Sequence, residues 1–62
     1  MCESNAYMFK NGQEELLLSS VATVDPVEGG FKLVGLFGEE LEVSGKLKEI
    51  NLLGHKIVFT DD

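Results

Sequence analysis

Apolar and polar positions alternate over short stretches of this chain, and glycines separate one stretch from the next. Alternation with a period of two is typical of strands that bury one face. The pattern predicts six short strands, over residues 5–10, 13–19, 21–25, 31–37, 41–50 and 56–60. A helix over residues 13–24 is the weaker interpretation, because the apolar residues there cluster instead of recurring three and four positions apart.

Turns rich in glycine connect the predicted strands. Asn11-Gly12 is the strongest hairpin signal, because both central residues of such a two-residue turn need positive φ angles. Gly45 lies inside the segment 41–50 and permits a bulge or a sharp bend at which the strand changes direction. The other predicted stops are Asp25-Pro26, Glu28-Gly29-Gly30, Gly38-Glu39 and residues 51–54.

Short strands with frequent turns are typical of antiparallel barrels and two-layer sheets. The predicted fold class is therefore all-β, a small SH3-like antiparallel barrel of five to six short strands. Its single domain would span residues 1–62. Within the segment 31–37, the alternation places Phe31, Leu33, Gly35 and Phe37 on one face.

The size of the chain predicts a need for additional stabilisation. A domain of 62 residues buries only roughly 60% of its unfolded surface, and its single cysteine cannot form an internal disulfide. Leu16, Leu17 and Leu18 cannot all face one side of a strand, so at least one must point outward. An exposed leucine on so small a protein indicates a homodimer, and exposure of Val34, Leu36 or Val58 would indicate the same. The alternative is a monomer, because isolated apolar residues at the surface are normal.

The charge balance restricts the classes of partner. Eleven acidic residues and five lysines, with no arginine, give a net charge of −6, which disfavours nucleic acid because affinity for phosphates comes largely from Lys and Arg. No apolar run approaches the ~20 residues of a membrane span, and the first residues lack the basic and apolar regions of a secretory signal. The expected location is the cytoplasm, where a lone thiol stays reduced.

No arrangement of residues in the sequence indicates an enzyme. The single histidine lies far along the chain from the single cysteine, and the serines have no evident base nearby. Glu14-Glu15 and Glu39-Glu40 are adjacent pairs, whose carboxylates would point to opposite faces of a strand. No glycine loop opens a helix in the manner of a nucleotide-binding motif.

Cys2 is the leading candidate for metal chemistry among the residues. If Met1 is removed, the α-amine and the thiol of Cys2 close a five-membered chelate, and two such chelates from two subunits supply four donors for a square-planar ion such as Ni(II) or Cu(II). If Met1 is retained, its amine, the Cys2 amide nitrogen and the thiol supply three donors. An inert terminal cysteine is the alternative.

His55 is a second candidate metal ligand. The alternative is that its side chain is packed or hydrogen-bonded within the protein. Met8 is expected to lie in the core or in an interface.

Five short blocks together carry a resemblance to a known family. They are Met-Cys-Glu-Ser-Asn at 1–5, Glu-Glu-Leu-Leu at 14–17, Leu-Phe-Gly-Glu at 36–39, Gly-Lys-Leu-Lys-Glu-Ile at 45–50 and Leu-Leu-Gly-His-Lys-Ile at 52–57. In order and spacing, they resemble the CooT-type small proteins over nearly the whole chain.

The resemblance implies a specific function. It implies a dimeric SH3-like barrel that acts as a nickel-binding accessory protein and assists nickel insertion into carbon monoxide dehydrogenase. It also implies one Ni(II) per dimer, bound through the cysteine after the initiator methionine, which is Cys2 here. Two alternatives stay open: an RNA-binding small barrel that uses Lys46, Lys48 and Lys56 with Tyr7, and a protein-interaction module that docks a partner on its acidic surface.

Overall fold

The computed structural model describes residues 4–61 of the chain, and strands make up most of them. Six strands form one hydrogen-bonded sheet in the order β4-β3-β2-β1-β6-β5. Their bounds are β1 (Ser4–Lys10), β2 (Gln13–Val27), β3 (Gly30–Gly35), β4 (Glu40–Ser44), β5 (Lys46–Asn51) and β6 (Lys56–Thr60). The prediction of an all-β, barrel-like fold is confirmed.

The sheet is mixed, which the sequence did not indicate. Four of the strand pairings in the described chain are antiparallel, as predicted. β1 and β6 instead run parallel, from Asn5 opposite Lys56 to Phe9 opposite Thr60. Parallel strands require a long crossover connection, and here β2 to β5 provide it. The two terminal strands therefore lie side by side in the middle of the sheet.

β2 is one long bent strand, where the sequence predicted two separate strands. Residues 13–21 pair with β1, and residues 21–27 pair with β3. The bend falls at Ser20, whose φ of 56° belongs to the left-handed region that non-glycine residues rarely adopt. The predicted stop at Asp25-Pro26 is wrong. Pro26 is tolerated because β2 has left β1 there and pairs with β3 alone, and proline fits a strand at a position where its missing N–H is not needed.

Gly45 joins the two outer edges of the sheet. β4 and β5 lie at opposite ends of the strand order, yet Gly45 is the one residue between them. Its φ of 124° lies in a region that is open essentially only to glycine, and a Cβ there would collide with the carbonyl oxygen of Thr60. The predicted bend is confirmed. Covalent continuity, and not hydrogen bonding between the described β4 and β5, brings the edges together.

The core lies on the inner face of the curled sheet. Ala6, Leu33, Val43 and Phe59 are buried there, and the rings of Phe31 and Phe59 pack with centroids 5.2 Å apart. Burial of a large apolar side chain of this kind contributes about 1.5–3 kcal/mol. Met8 packs against this core, as expected.

One of the three leucines at positions 16 to 18 points outward, as predicted. Leu17 and Leu18 both pack against the core, because the register shifts between the Ala6–Leu18 and Tyr7–Leu16 pairs and so breaks the alternation. Leu16 is left 58% exposed.

A smaller cluster covers the outer face of β1 and β6. Val58 lies between the core residues Ile57 and Phe59, so it points outward, yet it is fully buried. Its neighbour across the pairing is Tyr7, and the Lys56 ammonium lies 5.5 Å from the centroid of the Tyr7 ring. Lys56 Nζ also donates to Glu14 Oε1, at 2.6 Å. Strands β1, β2 and β6 are thereby linked on this face.

The Glu14→Gln variant is expected to lower the pKa of Lys56. The hydrogen bond to Glu14 raises the pKa of the Lys56 ammonium above its ordinary value of 10.5, because a nearby carboxylate favours the charged amine. A raised pKa in the folded state means that the stabilisation is fully present below pH 10.5 and is lost as pH rises through the higher folded value. NMR titration of the Lys56 side chain measures the shift.

The Glu15→Gln variant is the matched control, since Glu15 lies next to Glu14 on β2 and forms no ion pair with Lys56 among the described contacts. An unchanged Lys56 titration in the Glu14→Gln variant would contradict the assignment.

Candidate functional site

Cys2 and Met1, the predicted metal-binding residues, lie outside the described residues. The described chain begins at Ser4, which is also the first residue of β1. The surroundings of Ser4 are therefore what the structure contributes to the candidate site.

Two turns lie at the same end of the sheet as Ser4. Ser4 pairs with Val21, and Val21 pairs in turn with Gly35, where β3 ends. On the other side, Asn5 pairs with Lys56, the first residue of β6. The turns over residues 36–39 and 52–55 therefore flank the start of β1, and we call this region the N-terminal end.

Four large apolar side chains are exposed in these turns. Leu36 and Phe37 are 46% and 82% exposed, and Leu52 and Leu53 are 79% and 96% exposed. We call residues 36–39 and 52–55 the apolar turns. Clustered exposed apolar side chains are typical of interaction surfaces. Exposure of Val34, Leu36 or Val58 was expected to indicate a dimer face. Of these three, Leu36 is exposed, whereas Val34 is half-buried and Val58 is buried.

The placement of Phe37 on the buried face of a strand was wrong. β3 ends two residues earlier, at Gly35, and a tight turn follows. Gly38 N donates to Gly35 O at 3.1 Å, with a Gly38 φ of 92°, and Phe37 N donates to Glu39 Oε1 at 3.2 Å. The turn therefore directs the Phe37 ring into solvent.

Asn5 connects the start of β1 to both neighbouring strands. Its backbone N donates to His55 O at 2.9 Å, and its side-chain Oδ1 accepts a hydrogen bond from Ser20 N at 3.2 Å. Ser20 O in turn accepts from Leu36 N at 2.8 Å. A continuous series of hydrogen bonds therefore runs from one apolar turn, through Ser20 and Asn5, to the other.

The structure places His55 close to the start of β1. Its side chain is exposed, its φ is 53°, and its carbonyl oxygen binds Asn5, which stands three positions after Cys2. Within residues 4–61, no three or more His, Cys, Asp or Glu side chains lie together in a group that could hold a metal ion. His55 therefore belongs to no metal-binding group that the described chain forms.

Two of the three lysines predicted for nucleic-acid binding, Lys48 and Lys56, already have partners within the chain. Lys48 Nζ lies 4.7 Å from the centroid of the Phe9 ring, and Lys56 covers Tyr7 and pairs with Glu14. Stacking of a base would have to displace these contacts.

Sequence reasoning missed Asn5 as a residue of this end. Asn5 is the last residue of the first sequence block, but an asparagine inside a strand gives no local signal of the contacts that it makes. Its role depends on the irregularity of β2 opposite it, where the pairing skips from Leu18 to Val21.

No helix in the described part of the chain is long and apolar enough to cross a membrane.

The fold and this end together define a small all-β protein whose first described residue, Ser4, lies between two turns with exposed apolar side chains. The chain belongs to the family described as CO dehydrogenase accessory protein CooT, whose model matches residues 1–60. The family identified from the five sequence blocks is confirmed.

A solved structure has the same fold. The chain is similar to the crystal structure of a protein assigned as CooT from Carboxydothermus hydrogenoformans, with a TM-score of 0.90 and 31% sequence identity. The match covers 98% of each chain. No curated protein matches this chain.

Proposed function

We propose that this chain is a nickel-binding accessory protein that delivers Ni(II) to carbon monoxide dehydrogenase during its maturation. The observation that carries the proposal is the family match, which extends over residues 1–60 and therefore includes Cys2. Nickel is the cargo in this account, and the protein has no catalytic role.

The donor chemistry of the first residues suits nickel. A thiolate is a strong donor for this ion, and an amine or a deprotonated amide nitrogen beside it completes a chelate ring. The thiol and the α-amine have ordinary pKa values near 8.5 and 8, so Ni(II) readily displaces both protons and its binding strengthens as pH rises. Ser4 follows Cys2 by two positions, which span at most about 7 Å of chain, so the metal would lie beside the N-terminal end.

A second subunit supplies the remaining donors in this proposal. One terminus offers two or three donors, and square-planar Ni(II) takes four. The apolar turns expose Phe37, Leu52 and Leu53 at the same end, and their burial against a second copy would bring the two termini together. We therefore propose a homodimer that binds about one Ni(II) between its N-termini.

The RNA-binding alternative receives no support from the outer face. Tyr7 and Phe9 are covered by lysines, and the net charge of −6 opposes a polyanion. An acidic interaction surface is compatible with the proposal, since an accessory protein must also bind its client.

Native mass spectrometry with added Ni(II) tests the proposed function. We expect a dimer that carries one nickel ion, because two termini together provide four donors. The intact mass of the denatured chain also shows whether Met1 has been removed. A monomer that binds nickel alone, or a dimer that binds none, would refute the proposal.

The Leu53→Asp variant tests the role of the apolar turns in the dimer. A buried carboxylate at the contact is strongly unfavourable, so we expect the variant to be monomeric at concentrations at which the unmodified protein is dimeric. Leu16→Asp is the matched control, because Leu16 is also exposed but pairs with Tyr7, away from the apolar turns. Equal dimerisation of both variants would place the interface elsewhere.

A further inference from the structure

We propose that the free edge of β4 binds an extended basic segment of another protein, which adds to the sheet as a further strand. Nickel has no part in this interaction. Three features of the sheet point to it: an unpaired backbone edge, a shallow acidic cavity beside that edge, and an uneven distribution of charge.

The backbone of β4 is hydrogen-bonded on one side only. β4 stands at one end of the strand order, and within residues 4–61 its one hydrogen-bonded neighbour is β3. At one end of this pairing Gly35 N donates to Glu39 O at 2.8 Å. At the other end Gly45 N donates to Gly29 O at 3.3 Å. The register between these two bonds is continuous, without a bulge.

These two bonds determine which β4 residues face β3. Bonded and non-bonded residue pairs alternate along an antiparallel ladder. Counted in steps of two from either bond, Leu41 and Val43 direct their N–H and C=O groups toward β3. The same groups of Glu40, Glu42 and Ser44 therefore point away from β3, and all three residues are exposed. A row of unpaired backbone groups is a template for another strand.

A shallow cavity of about 190 Å³ lies beside this edge. It is lined on one side by Val27 and the turn between β2 and β3, and on the other side by Glu42 and Ser44. Glu28 and Glu42 bring two carboxylates to it, and neither forms an ion pair with another described residue. The side chain of Val27 is 41% exposed. An apolar wall beside two carboxylates suits the long stem and charged head of a lysine or arginine.

Charge is distributed unevenly over the sheet. Four of the five lysines lie on β1, β5 and β6. Residues 25–44 contain five acidic residues and one lysine, Lys32, whose ammonium lies 3.6 Å from Glu40 Oε1. The surface around β4 therefore attracts a basic partner and repels an acidic one.

Other pairings at the sheet edges are less favourable. β5, the other edge strand, has a register shift between Leu47 and Glu49, and bulges of this kind discourage edge pairing. Its Lys46 and Lys48 would also repel a basic segment. A second copy of this chain is disfavoured at β4, because full antiparallel overlap of two β4 strands would place Glu42 opposite Glu42.

Hydrogen exchange of the β4 amides tests the backbone contact. In the free protein we expect the amides of Glu42 and Ser44 to exchange at least about tenfold faster than those of Leu41 and Val43, which are bonded to β3. The probe is the peptide acetyl-Lys-Val-Lys-Val-Lys-Val-Lys-amide, which is basic and alternates as a strand does. At saturation we expect it to slow the Glu42 and Ser44 amides at least about fivefold and to leave Leu41 and Val43 unchanged.

A control peptide and a control variant separate strand addition from attraction by net charge. Acetyl-Lys-Lys-Lys-Lys-Val-Val-Val-amide has the same composition without alternation, and we expect calorimetry to show at least about fivefold weaker binding. Glu42→Lys should weaken binding of the alternating peptide at least about fivefold, because attraction becomes repulsion. Glu15→Lys changes the net charge equally, but Glu15 lies on β2 opposite Met8, so the loss should stay below about twofold. If Glu42→Lys does not fold, Glu28→Lys replaces it, since Glu28 lies in a turn.

The proposal has several ways to fail. Absence of binding by the alternating peptide, or slow exchange of the Glu42 amide in the free protein, would overturn it. Equal affinity of the two peptides, or equal losses in the Glu42→Lys and Glu15→Lys variants, would reduce the interaction to net charge. A changed oligomeric state of Glu42→Lys without peptide would assign the edge to a second copy instead. The Cys2→Ser variant should bind the peptide normally, so failure of the nickel proposal would leave this result intact.

Discussion

Replacing Cys2 by serine is expected to weaken Ni(II) binding at least about 100-fold, or about 2.7 kcal/mol. A serine hydroxyl is almost never deprotonated at neutral pH and is a hard donor, whereas a thiolate suits nickel. The thiolate-to-nickel charge-transfer absorption should also disappear. Titration with Ni(II), followed by absorbance and by calorimetry, measures the affinity and the band together.

Two further samples identify the remaining donors. The His55→Ala variant should keep the affinity if nickel is bound through the N-terminus alone, and a marked loss would add the imidazole to the donor set. Acetylation of the N-terminus removes the charge and the donor character of the α-amine, so it should weaken binding of a chelate that uses this amine. Undiminished binding by the Cys2→Ser variant would exclude Cys2 as the ligand.

Replacing Gly45 by alanine is expected to destabilise the fold by about 3 kcal/mol. Two costs combine at this position. A φ of 124° is rarely open to a residue with a side chain, and the new Cβ would meet the Thr60 carbonyl oxygen, which belongs to backbone and can move little. A chain of 62 residues has a free energy of unfolding of about 3–9 kcal/mol, so the variant should lose about a third or more of its stability.

Gly12→Ala is the control that separates these two costs. Gly12 also has a positive φ, of 78°, but nothing lies within 4 Å of a Cβ built there. Its substitution should therefore cost only the conformational term, about 1 kcal/mol. Urea denaturation of both variants measures the difference. Equal loss of stability would mean that the contact with Thr60 is relieved at no cost and that Gly45 is not a tight junction.

The strands and the bend at Gly45 could be predicted because they depend on local patterns. Alternation identified β1, β4 and β6, and the glycines marked most of the turns. The continuity of β2 through Ser20 and Pro26 could not be predicted, because it depends on β1 and β3 pairing with different halves of the same strand. The parallel pairing of β1 with β6 joins residues about fifty positions apart, and no local pattern reports such contacts.

The metal chemistry of Cys2 stays a prediction, because this residue lies outside the described part of the chain. The setting of the candidate site could not be predicted from the sequence. A cysteine beside an amine can be recognised from the first residues alone, and the five blocks identified the family. The contribution of Asn5 depends on an irregularity in another strand. Phe37 was assigned to a buried face because strand alternation continues through it in the sequence, whereas hydrogen bonds around Gly35 and Gly38 end the strand earlier.

The parallel arrangement of the terminal strands has a practical consequence for handling this protein. β1 begins and β6 ends at opposite ends of the molecule, and the Lys10–Asp61 ion pair of 3.7 Å shows that the final described residue lies beside the last residue of β1. An affinity tag, a fluorophore or a surface linkage at the carboxyl terminus would therefore point away from Ser4. The same addition at the amino terminus would lie on the Ser4 side of the central strand β1 and would block the α-amine of the proposed chelate, so carboxyl-terminal fusions are the appropriate format for binding assays.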